Sequence, residues 1–277
     1  MAGPVLLLLD DPSRVLDPAT PLLRADDLGV VRGEAVFETL RVAGGRPALL
    51  DLHLRRLARS AERVGISLPG GWEALARAAA ATQDDGMLRL TCTKGAPGGS
   101  PVGFAVAAPL PPDTVRGREH GVRVVTRTLG VPAGLRRSAP WLLGGVKSTS
   151  YAVNMATQRD AVAAGAEDAV WTSTDGEVLE APTATVAAVV DGVVVTPPAD
   201  EVGTLPGTTA EAALAHSPVP VEVRRLPVDD LARAEEVMLL SSVRGVAPVV
   251  ELDGRPLPVG PVTAALRDAF EALVRTS

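Results

Sequence analysis

The chain is 277 residues long, 46% hydrophobic and 22% charged, which excludes a disordered or fibrous protein and leaves room for two domains with cores of their own. A formal net charge of −6 with the basic residues scattered excludes the positive field that nucleic-acid binding needs. A single cysteine, Cys92, and three histidines far apart in sequence, His53, His120 and His216, exclude an internal disulfide and argue against a metal site, so the chain reads as a protein of the reducing cytoplasm with no metal.

From the N-terminus, the run "VLLLL" (5–9) is too short for a signal-peptide core or a membrane span and reads as a buried strand at the edge of a sheet. "AVFETLRV" (35–42), the Gly-Gly turn of "GGRP" and "ALLDL" predict a hairpin. In "DLHLRRLARSAERVGI", Leu52, Leu57, Ala61 and Val64 recur at roughly helical spacing, and Gly65 is placed to end the helix. A second helix over "WEALARAAAAT" and two strands, "MLRLTCT" and "VGFAVAAPL", follow. "PLPPDTVRGREHG" (109–121) has the proline-rich, polar composition of an inter-domain connection. It divides the chain into a small N-terminal α/β domain over 1–113, a connecting loop over 114–121 and a larger C-terminal domain over 122–277.

Beyond the connection, the pattern predicts the strand "VRVVTRTL", an irregular stretch through "PAGLRRSAPWLLGG", a helix from Lys147 to about Ala164 and the strand "DAVWTST". A hairpin turning at "DG" follows within "GEVLEAPTATVAAVVDGVVVTPP". The last part holds a helix after "LPGTT", a strand near "VEVRRL", a helix around "DDLARA", the strand "EVMLLSS" and an amphipathic helix from about Pro261. With aromatics at 3%, Leu, Val and Ala must fill the interior, which suits an α/β (α+β) fold with buried β-branched strands.

Only two lysines, Lys94 and Lys147, stand against 25 arginines. Arginine keeps its proton in a protein, whereas a partly buried lysine can be neutral near pH 7 and form a Schiff base with a carbonyl. Lys147, set among glycines and hydroxyls in "GGVKSTSYAVNM", is therefore a candidate nucleophile, and Lys94 shares the argument; the plain alternative is a solvated surface lysine. A phosphate loop of the Walker kind is excluded, because Val146 stands where a glycine must precede the lysine, and no Gly-x-Gly-x-x-Gly follows a strand.

Seven stretches in order, "RGEAVFETLRV", "LLDLHLRRL", "VKSTSYAVNM", "GEVLEAPTATV", "TPP", "LPGTT" and "LLSSVRGVAPV", resemble the fold-type IV pyridoxal-phosphate enzymes. This family contains branched-chain aminotransferases, D-amino-acid aminotransferases and 4-amino-4-deoxychorismate lyases. The resemblance implies a two-domain fold with pyridoxal 5′-phosphate between the domains. It also implies a homodimer in which the small domain of one subunit helps close its neighbour's site. Lys147 matches the lysine that joins the cofactor, and Tyr151, the chain's only tyrosine, matches the residue that hydrogen-bonds the cofactor's phenolic oxygen. Arg56 in "HLRRL" matches the phosphate-holding arginine, with Arg55 and Arg59 left to solvent and His53 to local packing. Glu180 takes the place of the glutamate whose charge keeps the pyridine nitrogen protonated, with Glu177 as the solvated alternative. Gly207, Thr208 and Thr209 in "LPGTT" match the phosphate-binding helix start, Ser242 a further hydroxyl donor, and Leu205 a contact to the ring. The family's Ser/Thr-Asn after the glutamate is absent; this chain has "PTATV".

Among the family's reactions, D-amino-acid aminotransferases carry an Arg-x-His pair where this chain has "TKGAPGGSPVG", and branched-chain aminotransferases an aromatic substrate wall not visible here. "SSVRGVAPV" resembles the lyases' Asn-Ser-Leu-x-Gly-x-x-Pro-Val with Ser241 in place of Asn. The resemblance thus points first to 4-amino-4-deoxychorismate lyase, which releases 4-aminobenzoate and pyruvate in folate biosynthesis. It points second to a class IV aminotransferase acting on branched-chain or D-amino acids; a non-catalytic ligand-binding relative is the reading from another class. Arg32, Lys94 and Arg244 are the cations available to the carboxylates of a small-molecule substrate, with no membrane or nucleic-acid partner.

Overall fold

The computed structural model describes residues 3–276 and divides into two compact units. The first holds the residues up to Pro111, the segment Val146–Tyr151 and the residues from Leu273 onward. Its strands are β1 (Val5–Leu8), β2 (Val15–Leu16), β3 (Ala35–Ala43), β4 (Arg46–Pro47), β5 (Asp85–Thr93) and β6 (Val102–Ala108). They form one sheet in the order β2-β1-β6-β5-β3-β4, with each neighbouring pair antiparallel. Helices α1 (Leu28–Val31), α2 (Leu50–Val64) and α3 (Trp72–Ala80) complete the unit.

The central pair is β3 and β5, in register from Ala35 opposite Thr93 to Ala43 opposite Asp85. Their inward leucines, Leu40, Leu88 and Leu90, pack with Leu57 of α2 and Leu75 of α3 in one apolar core. Gly65 ends α2 as the spacing predicts, in the left-handed region at φ 69°, where its amide returns to Ala61 and Glu62. The hairpin after β3 is shorter than expected. β4 has two residues, and "ALLDL" turns instead through Leu49 at φ 54° into α2, whose inner face buries Leu50 and Leu57.

The second unit holds Pro112–Gly145 and Ala152–Ala272. In chain order it contains α4 (Pro112–His120), β7 (Val122–Thr128), α5 (Leu135–Ser138), a 3₁₀ turn (Pro140–Leu142), α6 (Ala152–Ala163), β8 (Asp168–Thr172), β9 (Thr185–Val190) and β10 (Val193–Thr196). Then come α7 (Ala199–Val202), α8 (Thr208–Leu214), β11 (Val221–Val223), α9 (Val228–Arg233), β12 (Glu236–Ser241), β13 (Gly245–Leu252), β14 (Arg255–Pro256) and α10 (Pro261–Thr276). The sheet runs β11-β10-β9-β12-β13-β7-β8, with β14 on β13. Pairs β10–β11, β13–β7 and β7–β8 are parallel. The β9–β10 hairpin turns at Asp191-Gly192, both at positive φ (52° and 75°), as its "DG" predicts.

Two sequence expectations change here. The stretch expected to be a loop over 114–121 is helical through His120, with Pro112 opening α4 and Gly121, at φ 81°, ending it against the Pro248 carbonyl. The helix expected from Lys147 begins at Ala152. Strand β13 was not foreseen. Among the described residues no helix is long and apolar enough to cross a membrane.

Candidate active site

In the first unit, Lys147 lies on an extended segment alongside β3 rather than on a helix. Its carbonyl accepts from the Phe37 amide at 3.0 Å, Ser148 bridges Val36, and the Thr149 amide donates to the Ala35 carbonyl at 2.9 Å. The Lys147 amide donates to Ser60 Oγ of α2 at 3.2 Å. These backbone bonds to β3 compete with helical ones and win, which is why the helix starts five residues later. Even so, Lys147 Nζ reaches Tyr151 Oη at 3.5 Å. It also lies 4.4 Å from the centre of the Phe37 ring, which meets Tyr151 edge-on at 5.1 Å. On the same Phe37 ring stacks the Arg89 guanidinium, 3.7 Å from its centre. Burial pushes the Arg89 pKa down, and no acidic side chain among the described residues pairs with it.

Arg56 is buried on α2. Its Nε and Nη2 donate to Glu38 Oε1 and Oε2 at 2.7 Å each, and His53 Nδ1 lies 2.6 Å from Glu38 Oε2. Burial alone would raise the Glu38 pKa; the charge and hydrogen bonds of Arg56, with those of His53, overcome it and hold the carboxyl at about 2. Burial pushes the His53 pKa down. Sequence reasoning passed over Glu38, Phe37 and Arg89. The available signal for Glu38 was a lone carboxylate in the middle of the apolar strand "AVFETLRV", opposite a helix face carrying His53 and Arg56. Arg55 and Arg59 are exposed, as expected.

The second unit holds the other candidates. Glu180 accepts from Arg136 Nη1 at 3.2 Å on one oxygen and from the Leu205 amide at 3.1 Å on the other. Gly207 precedes α8; a Cβ there would stand 2.2 Å from Thr185 Oγ1, so only glycine fits. Thr208 Oγ1 and Ser242 Oγ are 3.5 Å apart, and Thr209 Oγ1 is buried without a hydrogen-bond partner among the described residues. Glu180, Thr185, Leu205 and Gly207 share the lining of a cavity of about 370 Å³. The "PTATV" stretch, which lacks the family's asparagine, has its Pro182 carbonyl held by Asn154 Nδ2 of α6 at 2.6 Å. Glu177 is half-buried with its carboxyl pushed up by burial, not the solvated residue expected.

The cations singled out for substrate are differently engaged. Lys94 pairs with Glu34, Arg244 pairs with the buried Asp168 at 2.7 Å, and Arg32 is exposed at the end of α1. Spacing could not show that Glu34 and Asp168 neutralise two of the three. Arg89, fixed on an aromatic ring beside Lys147, takes their place as the carboxylate-binding candidate.

The residues fit pyridoxal phosphate. In the first unit, an amine beside a phenol suits its aldehyde and phenolic oxygen. In the second, taken by itself, a carboxylate held by an arginine and an amide suits a protonated pyridine nitrogen, and the Thr209 hydroxyl beside the glycine cradle at Gly207 suits phosphate oxygens. Comparison with known proteins points the same way. The sequence pattern described as "Amino-transferase class IV" matches residues 35–252. The chain is 38% identical to a bifunctional aminodeoxychorismate lyase / D-amino acid transaminase of Mycobacterium tuberculosis, over 94% of this chain and 96% of that one. It is 32% identical to a chloroplastic D-amino-acid transaminase of Arabidopsis thaliana, over 91% of this chain and 71% of that one. Its structure superimposes, at a TM-score of 0.93 and 36% identity, on the PLP-bound form of a hypothetical aminotransferase from Mycobacterium tuberculosis, covering 98% and 99% of the two chains.

Proposed function

Since the chain belongs to the class IV aminotransferase family of pyridoxal-phosphate enzymes, we propose that it cleaves 4-amino-4-deoxychorismate to 4-aminobenzoate and pyruvate. The observation that carries this reading is the pairing of Lys147 Nζ and the Arg89 guanidinium on the one Phe37 ring. It puts a candidate carboxylate binder on the same aromatic ring as the reacting amine, and this substrate carries two carboxylates. The likeness to a relative named for lyase activity supports the choice of reaction.

When bound, the cofactor supplies a carbonyl for the substrate amine and an electron sink for charge left at the amine-bearing carbon. The chain's own residues do the rest. Lys147 Nζ removes the proton from that carbon, with Tyr151 Oη holding the amine's position. The ring C–O bond to the enolpyruvyl group then breaks, the departing enolate takes up the proton that Lys147 removed and becomes pyruvate, and the aromaticity of the ring left behind drives the step. Glu180, oriented by Arg136 and the Leu205 amide, would offer its charge to the pyridine nitrogen, and Leu205 would contact the ring. Arg56 and, from the second unit, Gly207, Thr208, Thr209 and Ser242 are the residues that would hold the phosphate. Arg89 takes a substrate carboxylate. The proposal extends to a homodimer acting in the cytoplasm and supplying folate biosynthesis.

A second reading, transamination of D-amino acids by the same lysine, is favoured by the names of both relatives. One assay separates the two: purified protein with 4-amino-4-deoxychorismate and no 2-oxo acid. The lyase releases pyruvate steadily, and turnover only on adding a 2-oxo acid overturns that reading. Arg89→Ala is expected to raise KM at least tenfold while leaving the bound cofactor's absorption unchanged; an unchanged KM removes Arg89 from the site.

A further inference from the structure

Behind Arg56 lies a carboxylate that the reaction does not use. Glu38 is fully buried on β3, and the same strand's preceding residue, Phe37, holds the Lys147 carbonyl and packs on its amine. Because side chains alternate along a strand, Phe37 addresses the lysine while Glu38 addresses α2. There it accepts both Nε–H and Nη2–H of Arg56 and lies against His53 Nδ1.

We propose that Glu38 is a positioning residue that presents the Arg56 guanidinium to the cofactor phosphate. The inference rests on the reading above that Arg56 takes that phosphate. A guanidinium is a rigid planar fork with two edges. Glu38 grips the Nε–Nη2 edge bidentately, so planar geometry turns the edge carrying Nη1 away from Glu38. The grip fixes the torsions of a long side chain before any anion arrives, so less freedom remains to be lost on binding. The charge arrangement supports orientation over attraction. An ionised Glu38 offsets the charge of Arg56, which weakens the pull on a dianion. A residue placed to strengthen that pull would not be a carboxylate.

Charge and positioning therefore predict opposite outcomes for Glu38→Gln, which keeps the shape and removes the negative charge. Apoprotein is titrated with pyridoxal phosphate and, separately, with pyridoxal, which lacks the phosphate, and Kd is read from the absorption of the bound cofactor. Positioning predicts at least tenfold weaker binding of pyridoxal phosphate, an unchanged Kd for pyridoxal, and no further loss when Glu38→Gln is added to Arg56→Ala. A purely structural role would weaken both ligands alike, and a purely electrostatic one would tighten pyridoxal phosphate; either result overturns the inference. If Arg56→Ala binds pyridoxal phosphate like the parent protein, the reading of Arg56 itself fails. If Arg56→Ala weakens binding and Glu38→Gln does not, only the inference fails. Should Glu38→Gln not fold, Glu38→Asp withdraws the carboxylate by one carbon while keeping its charge. An intermediate, phosphate-dependent loss is then expected, and parent affinity overturns the proposal.

Discussion

At the scale of single residues, the buried cluster of Glu38, Arg56 and His53 makes stability depend on pH. The Glu38 carboxyl titrates at about 2 when folded against an ordinary 4.5. Its contribution, about 3 kcal/mol, is present above the ordinary carboxylate range and lost as pH falls from 4.5 toward 2. His53, pushed down by burial from 6.5, resists a proton that the unfolded chain accepts below that value, so stability also falls as pH drops through the histidine range. Both shifts have the same sign. Thermal unfolding followed by circular dichroism is expected to show Tm declining from pH 7 to pH 4, with the steepest fall below pH 4.5, and Glu38→Gln is expected to flatten that acid limb. Residue type marked Lys147, with Lys94 sharing the argument, and the family resemblance then singled out Lys147 and Tyr151. Residue type could not mark Arg89 among 25 arginines, because what distinguishes it is an aromatic ring supplied by another strand and the lack of an acidic partner among the described residues.

Among the elements, α2, β3, β5 and the β9–β10 hairpin were legible because each satisfies its own backbone locally or through a strong period: apolar spacing with a glycine stop, or alternation with an Asp-Gly turn. The segment 146–151 was not. Its backbone hydrogen bonds to β3 go to Ala35 and Phe37, more than a hundred residues away, and no local pattern encodes such a bridge. The turn into α8 lies between these cases. "LPGTT" announces a helix start, while the need for glycine comes from Thr185 at the start of β9. Gly207→Ala would drive a methyl against Thr185 Oγ1 and is expected to lower Tm by several degrees and weaken pyridoxal phosphate binding at least tenfold. Combining it with Thr185→Ala is expected to restore part of both, read by the same unfolding scan and cofactor titration; no recovery would mean that the contact does not limit the turn.

For the whole molecule, light scattering is expected to give twice the chain's 28.5 kDa for the proposed homodimer, and a mass of one chain would refute it. Trp141 and Leu142 of the 3₁₀ turn are exposed apolar side chains of the kind a second copy covers. The sequence by itself determined the α/β class, the family and its cofactor, because hydrophobic period, turn chemistry and ordered motifs are local properties written along the chain. It also pointed to an inter-domain connection over 109–121, where composition changes. Only the tertiary structure decided that the Lys147 segment belongs with the first unit, that Glu34 and Asp168 neutralise two candidate cations, and that Glu38 stands behind Arg56. Charge pairing and burial depend on distance in space, and the partners here lie 18 to 76 residues apart along the chain.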